Sequence, residues 1–243
     1  MARVAARSLS ALLAGGVAAW FKAMMSTDAP PEPIAEGRAR FLSEIGEGVT
    51  LVAACKRQPH WRLREALEAG QRVFGENRVQ EAEVRWRKQF DEFEDVELRL
   101  IGPLQTNKAK DAVHLFNVIE TLDREKLLRA LIKAVDDTFV MPPDLFIQVN
   151  TGDEPQKGGV SVEGLPALLE KARADWPGRV VGLMCIPPAD EPAGPHFALL
   201  KKLADRHDLA QVSMGMSGDY ALAARLGATH VRVGTAFFGA REG

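Results

Sequence analysis

Cysteine is scarce in this chain: two residues among 243, with neither Cys55 nor Cys185 in a C-x-x-C pair. That excludes a disulfide scaffold and a dithiol redox motif. No His/Cys cluster has zinc spacing, so no metal site is expected. Both cysteines end apolar runs and read as buried, reduced thiols, which fits a reducing, cytoplasmic setting. Excess charge is lacking too: 31 Lys and Arg face 33 Asp and Glu, a formal net charge of −2. No global field then draws the chain to nucleic acid or an anionic membrane. The densest basic cluster, Arg85, Arg87 and Lys88, lies among acids in a stretch of helical period and reads as a solvated helix face. The apolar run between Leu9 and Trp20 is shorter than the roughly 20 residues that span a bilayer. Residues 1–27 hold Arg3, Arg7 and Lys22 but no acid. Residues 1–33 are therefore read as an N-terminal extension: disordered, a targeting segment, or the product of a start codon ahead of Met24 or Met25.

What the chain does have is alternation. Eight short apolar runs stand out: Val49–Cys55, Arg72–Gly75, Leu98–Gly102, Asn117–Glu120, Leu145–Asn150, Val180–Cys185, Gln211–Met214 and His230–Val233. Most are apolar nearly throughout, as parallel strands covered on both faces must be. Between them lie stretches of helical period, such as Trp61–Ala69, Asp123–Val135, Ser161–Ala174 and Asp219–Leu226. Eight alternations in a chain close to the roughly 250 residues of one (β/α)8 barrel predict a single TIM-type barrel over residues 34–243. An open doubly wound sheet would show a Gly-rich turn after the first strand, and Cys55-Lys-Arg-Gln-Pro59 is not one. Pro33–Ile45 reads as an extra N-terminal helix, expected to cover the barrel wall beside the last strand.

In such barrels the functional groups sit at the C-terminal ends of strands. Lys56 follows the first run directly, where an apolar floor would lower its pKa and free the amine to attack aldehydes. Ser213-Met-Gly-Met-Ser-Gly218 opens a helix, and Gly234-Thr-Ala-Phe-Phe-Gly239 offers small residues, a hydroxyl and free amides. The loops after strands seven and eight of these barrels frequently bind phosphate. An amine and a phosphate pocket across one mouth suit a phosphorylated aldehyde. Arg232, flanked by Val231 and Val233, alternates onto the face opposite those valines and needs a partner. Glu76 or another acid is one candidate; a cofactor's pyridine nitrogen is another.

On these segments the sequence resembles the YggS/PROSC family of pyridoxal 5'-phosphate (PLP) homeostasis proteins. The matching pieces are Leu51–Lys56, Phe74-Gly-Glu-Asn77, Ile101–Lys108, Gly182-Leu-Met184, Ser213–Ser217, Val231–Ala236 and Phe238–Arg241, within about residues 34–242. The resemblance implies a barrel like that of alanine racemase, PLP as an imine on Lys56, and Asn77 beside its ring. It implies Ser217, Gly234 and Thr235 on the phosphate, Arg232 facing the pyridine nitrogen, and Met214 and Gly215 lining the pocket. It also implies a carrier that buffers and delivers PLP, with PLP-dependent apoenzymes as recipients and no catalytic residue; nothing in the sequence marks an obligate interface, so a monomer is expected.

The competing expectation is a PLP-dependent amino-acid racemase. Two-base racemisation needs a second proton donor opposite the lysine. The single tyrosine, Tyr220, is placed at a helix start where packing is the expected role. A cofactor-free Schiff-base aldolase on Lys56 is a third alternative, and Arg232 argues against it only weakly. For Lys108, Lys110 and Lys157 solvated side chains are expected.

Overall fold

The computed structural model describes residues 33–87 and 92–239. The readings of the N-terminal extension, Lys88 and Arg241 lie outside the described residues. Helix α1 (Ile34–Ile45) comes first, with Ile34, Phe41 and Ile45 on one buried face. It is followed by β1 (Thr50–Ala54), α2 (His60–Glu68), β2 (Val73–Glu76), α3 (Val79–Trp86) and β3 (Glu97–Leu100). A 3-10 turn at Thr106–Lys108 leads into α4 (Ala109–Leu115), then β4 (Val118–Leu122), α5 (Glu125–Thr138) and β5 (Asp144–Asn150). Next are β6 (Val160–Ser161), α6 (Leu165–Asp175), β7 (Val180–Met184) and α7 (Ala193–Arg206). The last elements are β8 (Gln211–Ser213), α8 (Tyr220–Arg225), β9 (His230–Val233) and α9 (Thr235–Phe238).

The strands run in the order β4-β3-β2-β1-β9-β8-β7-β5, and β4 pairs with β5 to close an eight-stranded parallel barrel. The expected (β/α)8 barrel with its extra helix is therefore the fold. Closure leaves the barrel no open edge. One element differs from expectation. Val160–Ser161, expected near a helix start, instead pairs with Val149 and Asn150 of β5 as a ninth short strand. Gly159 makes this possible: it sits at φ 119, and a Cβ there would lie 2.6 Å from the Asn150 amide nitrogen. The Ser161 hydroxyl then accepts the Gly164 amide, and the helix starts later, at Leu165.

Alternation divides each strand between two environments. Leu51, Phe74, Leu98, Ile119 and Val231 face the helices and join one continuous core. Val118, Phe146 and Met184 form a separate small cluster inside the barrel. The registers Val52↔Arg232 and Gly75↔Arg99 put two arginines on that same inner face.

Helix α1 fills a gap in the wall. Helix α9, after the last strand, has only four residues. Phe41 meets Tyr220 of α8 edge-on at 4.9 Å and Phe237 of α9 at 6.1 Å. The Ile34 amide donates to Glu65 of α2 at 3.0 Å. The helix thus covers the wall beside β9 and braces both helices that follow the last two strands. Replacing the fully buried Phe41 by alanine is expected to cost about 3–5 kcal/mol, the range for truncating a core aromatic. Urea unfolding of Phe41→Ala, followed by circular dichroism, measures this; a loss below about 1 kcal/mol would mean that α1 is not part of the cooperative barrel.

Candidate functional site

Strand β1 ends in a tight turn. The Cys55 amide continues the ladder to Gly75 O at 2.8 Å, and the Gln58 amide closes back on Cys55 O at 3.0 Å. Lys56 and Arg57 project from this turn and are exposed, whereas Cys55 is fully buried. This corrects one expectation: Lys56 is solvent-exposed rather than set over an apolar floor, because it lies past the end of β1 in the turn, while Cys55 joins the buried core on the helix side. Among the described residues no hydrogen bond or ion pair engages the Lys56 ammonium. The register Ala54↔Gly75 sets Lys56 level with Asn77 on the neighbouring strand end. Asn77 is half-buried, and the loop after β3 presses against its backbone; a Cβ on Gly102 would lie 2.3 Å from Asn77 O.

On the other side of β1 lies β9. A Cβ on Gly234 would come within 3.2 Å of Ala54 O, so this loop starts directly against the β1 end. The Ser217 hydroxyl, from the loop after β8, accepts from the Gly234 and Ala236 amides at 3.4 Å each. Thr235 is exposed at the first position of α9. Ser217, Gly234 and Thr235 thus form one cup of hydroxyls and amides, of the chemistry that takes an anion. Met214 and Gly215 have other work. Alternation turns Ser213 into the barrel and Met214 outward, where its side chain is fully buried in the core. Gly215 sits at φ 90, with space for no Cβ because Ala223 would be 2.5 Å away. Its carbonyl receives the Arg232 amide at 2.9 Å. These two residues fix the loop to α8 and β9, and the Met214 side chain does not line the mouth.

Beneath the cup, Arg232 is 4% exposed. It donates to Ser213 Oγ at 2.6 Å and Cys185 O at 2.8 Å, and lies 3.9 Å from Glu120. Its acidic neighbour is therefore Glu120, not Glu76. Glu76 is held by Arg85 at 2.7 Å and by the Trp86 indole at 2.9 Å. Glu120 also takes the Ser213 hydroxyl at 2.6 Å and Arg99 at 2.9 Å. Burial works against the ionised Glu120 carboxylate. Arg99 and Arg232, with the Ser213 and Arg99 hydrogen bonds, outweigh it and hold the carboxyl below its ordinary range. Arg99 reaches on to His230 Nε2 at 2.9 Å. Burial first, and then the Arg99 charge, push that imidazole down to about 4. Burial pushes the Cys185 thiol up to about 12 and Cys55 well above its usual range, so neither is a thiolate nucleophile.

Sequence patterns did not select Glu120, Arg99, Ser213 or Arg85. A signal existed for the first two: a charged side chain at an inward position of an otherwise apolar strand. Arg85, expected on a solvated helix face, is only 12% exposed.

A parallel barrel with an exposed amine after its first strand, hydroxyls and amides gathered after its last two and an inward arginine below them is a barrel of the alanine racemase type. Residues 40–242 match the alanine racemase N-terminal domain family. Within that class the chain belongs to the pyridoxal phosphate homeostasis proteins. It is 38% identical to the homeostasis protein of Aquifex aeolicus over 203 residues, 79% of this chain and 87% of the relative. It is 39% identical to that of Vibrio cholerae over 219 residues, 85% and 89% of the two chains. The structure of PipY from Synechococcus elongatus without PLP superposes with a TM-score of 0.80 at 36% identity, covering 85% of this chain and all of that one. A second PipY structure, with PLP bound, gives 0.77. Alanine racemase of Clostridium difficile, at 10% identity and TM-score 0.70, shares the fold; this chain covers 58% of it.

The inner cluster makes acid stability testable. The folded-state value of His230 is about 4, below the ordinary 6.5, so between those values the unfolded chain binds more protons than the folded one. Stability should be full above about pH 6.5 and fall as the pH drops toward 4. Urea unfolding of wild type against His230→Gln across that interval should show the steeper acid loss in wild type. Parallel curves would mean that His230 is not buried and neutral.

Proposed function

We propose that this protein binds PLP at the barrel mouth and buffers and delivers it without catalytic turnover. When bound, PLP supplies an aldehyde that bonds a primary amine and a pyridine ring able to accept electrons. Lys56 supplies the amine. Ser217, Gly234 and Thr235 hold the phosphate, Asn77 borders the ring, and Arg232 faces the pyridine nitrogen. The observation that carries this is the contact between neighbouring strand ends. Gly234 abuts Ala54 O, two residues before Lys56, while its amide shares the Ser217 hydroxyl. The amine and the anion cup thus sit on adjacent strands, as a small phosphorylated aldehyde requires.

The carrier reading rests on how protons are held. A guanidinium remains cationic, so Arg232 opposes protonation of the ring nitrogen and weakens the ring as an electron sink. Tyr220, the sole tyrosine, gives its hydroxyl to Glu44 of α1. Partial burial and Glu44 both raise its pKa. Engaged with α1, it is not a proton donor opposite Lys56. No helix among the described residues is long and apolar enough to cross a membrane. We place the protein in the cytoplasm as a monomer, with PLP-dependent apoenzymes as recipients.

Borohydride reduction of the PLP-loaded protein should bleach its visible band and fix the cofactor mass on the Lys56 peptide alone. Lys56→Ala should carry no label, and Ser217→Ala should bind PLP roughly tenfold more weakly, the loss of one hydrogen bond to a charged group. A label on another lysine would sink the assignment. Exchange of the Cα hydrogen of an amino acid faster than with free PLP would favour a racemase.

A further inference from the structure

We propose that Arg85 is a positioning residue for the Lys56 amine, a role that rests on Lys56 being the residue that bonds the cofactor. The Lys56 side chain is exposed, and among the described residues no hydrogen bond or ion pair aims it. Its direction is therefore set by its backbone. That backbone turns sharply, with Arg57 in the left-handed region at φ 56, a conformation unfavourable for a residue with a Cβ. The pivot of the turn is Cys55 O, which already receives the Gln58 amide at 3.0 Å. Arg85 of helix α3 adds a second donor to the same carbonyl, its Nη1 at 3.1 Å.

The same nitrogen lies 2.7 and 2.9 Å from the two carboxylate oxygens of Glu76. Glu76 immediately precedes Asn77, as Cys55 immediately precedes Lys56. One guanidinium thus ties together the residues just before two neighbouring members of the site, on two different strands. The tie is itself rigid. Glu76 has no exposed surface and also takes the Trp86 indole at 2.9 Å, and Trp86 packs against Phe74 at 4.8 Å between ring centres. A buried ion pair adds little net stability over apolar packing. An additional bond from that pair to the backbone of a different strand is what geometric control of the turn would require. A simple tie between α3 and β2 would not need it.

The test separates aiming of the amine from integrity of the pocket. Arg85→Met combined with Glu76→Gln removes both charges at once and strands neither. In the full-length protein, affinity is measured for PLP and for 4'-deoxypyridoxine 5'-phosphate, which has the ring and phosphate but no aldehyde to bond Lys56. Loss of aim should weaken PLP about tenfold, the scale of lost preorganisation, and leave the analogue within about twofold. Equal losses for both ligands, or no loss for either, would overturn the proposal. Arg85→Gln, which leaves Glu76 with the Trp86 donor, gives the same comparison if the double variant does not fold. Arg85→Lys returns a cationic nitrogen and should recover most of the PLP affinity; failure to do so counts against the proposal. The underlying assignment is judged on wild type alone: if PLP binds no more tightly than the analogue, Lys56 is not its anchor, whatever Arg85 does.

Discussion

A cation enclosed in a closed barrel must be answered from inside it, and Arg232 is such a cation. Desolvating an arginine without partners is prohibitive, so the strands around β9 have to supply acceptors. β4 contributes Glu120, β8 the Ser213 hydroxyl and the residue just after β7 the Cys185 carbonyl. These contacts tie the middle of β4 and the C-terminal ends of β7 and β8 to β9. Glu120 in turn faces two guanidiniums, those of Arg99 and Arg232, so the inner cluster is stable only while the carboxylate is ionised. The cup above inherits this order. Ser217 follows Ser213 by four residues and Gly234 follows Arg232 by two. The spacing between the cup and the arginine is thereby set by backbone already held from below.

The same logic explains which parts of the molecule were legible in its sequence. The barrel was readable because parallel strands covered on both faces must be apolar along nearly their whole length. The placement of Lys56, Ser217, Gly234 and Thr235 past the C-terminal ends of strands was readable because each follows such a run. Three kinds of feature were not readable. Burial at a strand end depends on the register of one turn, so Lys56 was expected in an apolar setting and lies exposed. The partner of Arg232 depends on which strands adjoin across the barrel, so Glu76 stood as a candidate while Glu120 takes the place. Helix faces were misjudged where a polar residue reaches over the rim: Arg85 has the sequence surroundings of a solvated residue, yet its guanidinium lies against Glu76 and Cys55 O. Val160–Ser161 is a related case, since two residues show no period and Gly159 alone marks the close approach.

The exposure of Lys56 bears directly on the choice between carrier and catalyst. A bond between an amine and an aldehyde forms with loss of one water and is broken by one water, so its lifetime depends on solvent access. Enzymes that exploit such a bond exclude water to protect reactive intermediates. A protein that hands its cofactor on has the opposite requirement: the bond must hydrolyse on demand, while the anion cup and the ring contacts supply affinity that does not depend on it. In this barrel the tightly organised group is the inward Arg232, held by Ser213 and Cys185, whereas Lys56 and Thr235 at the mouth are exposed. On the proposed assignment of PLP to Lys56, that division suits a site that binds through non-covalent contacts and keeps the covalent bond reversible.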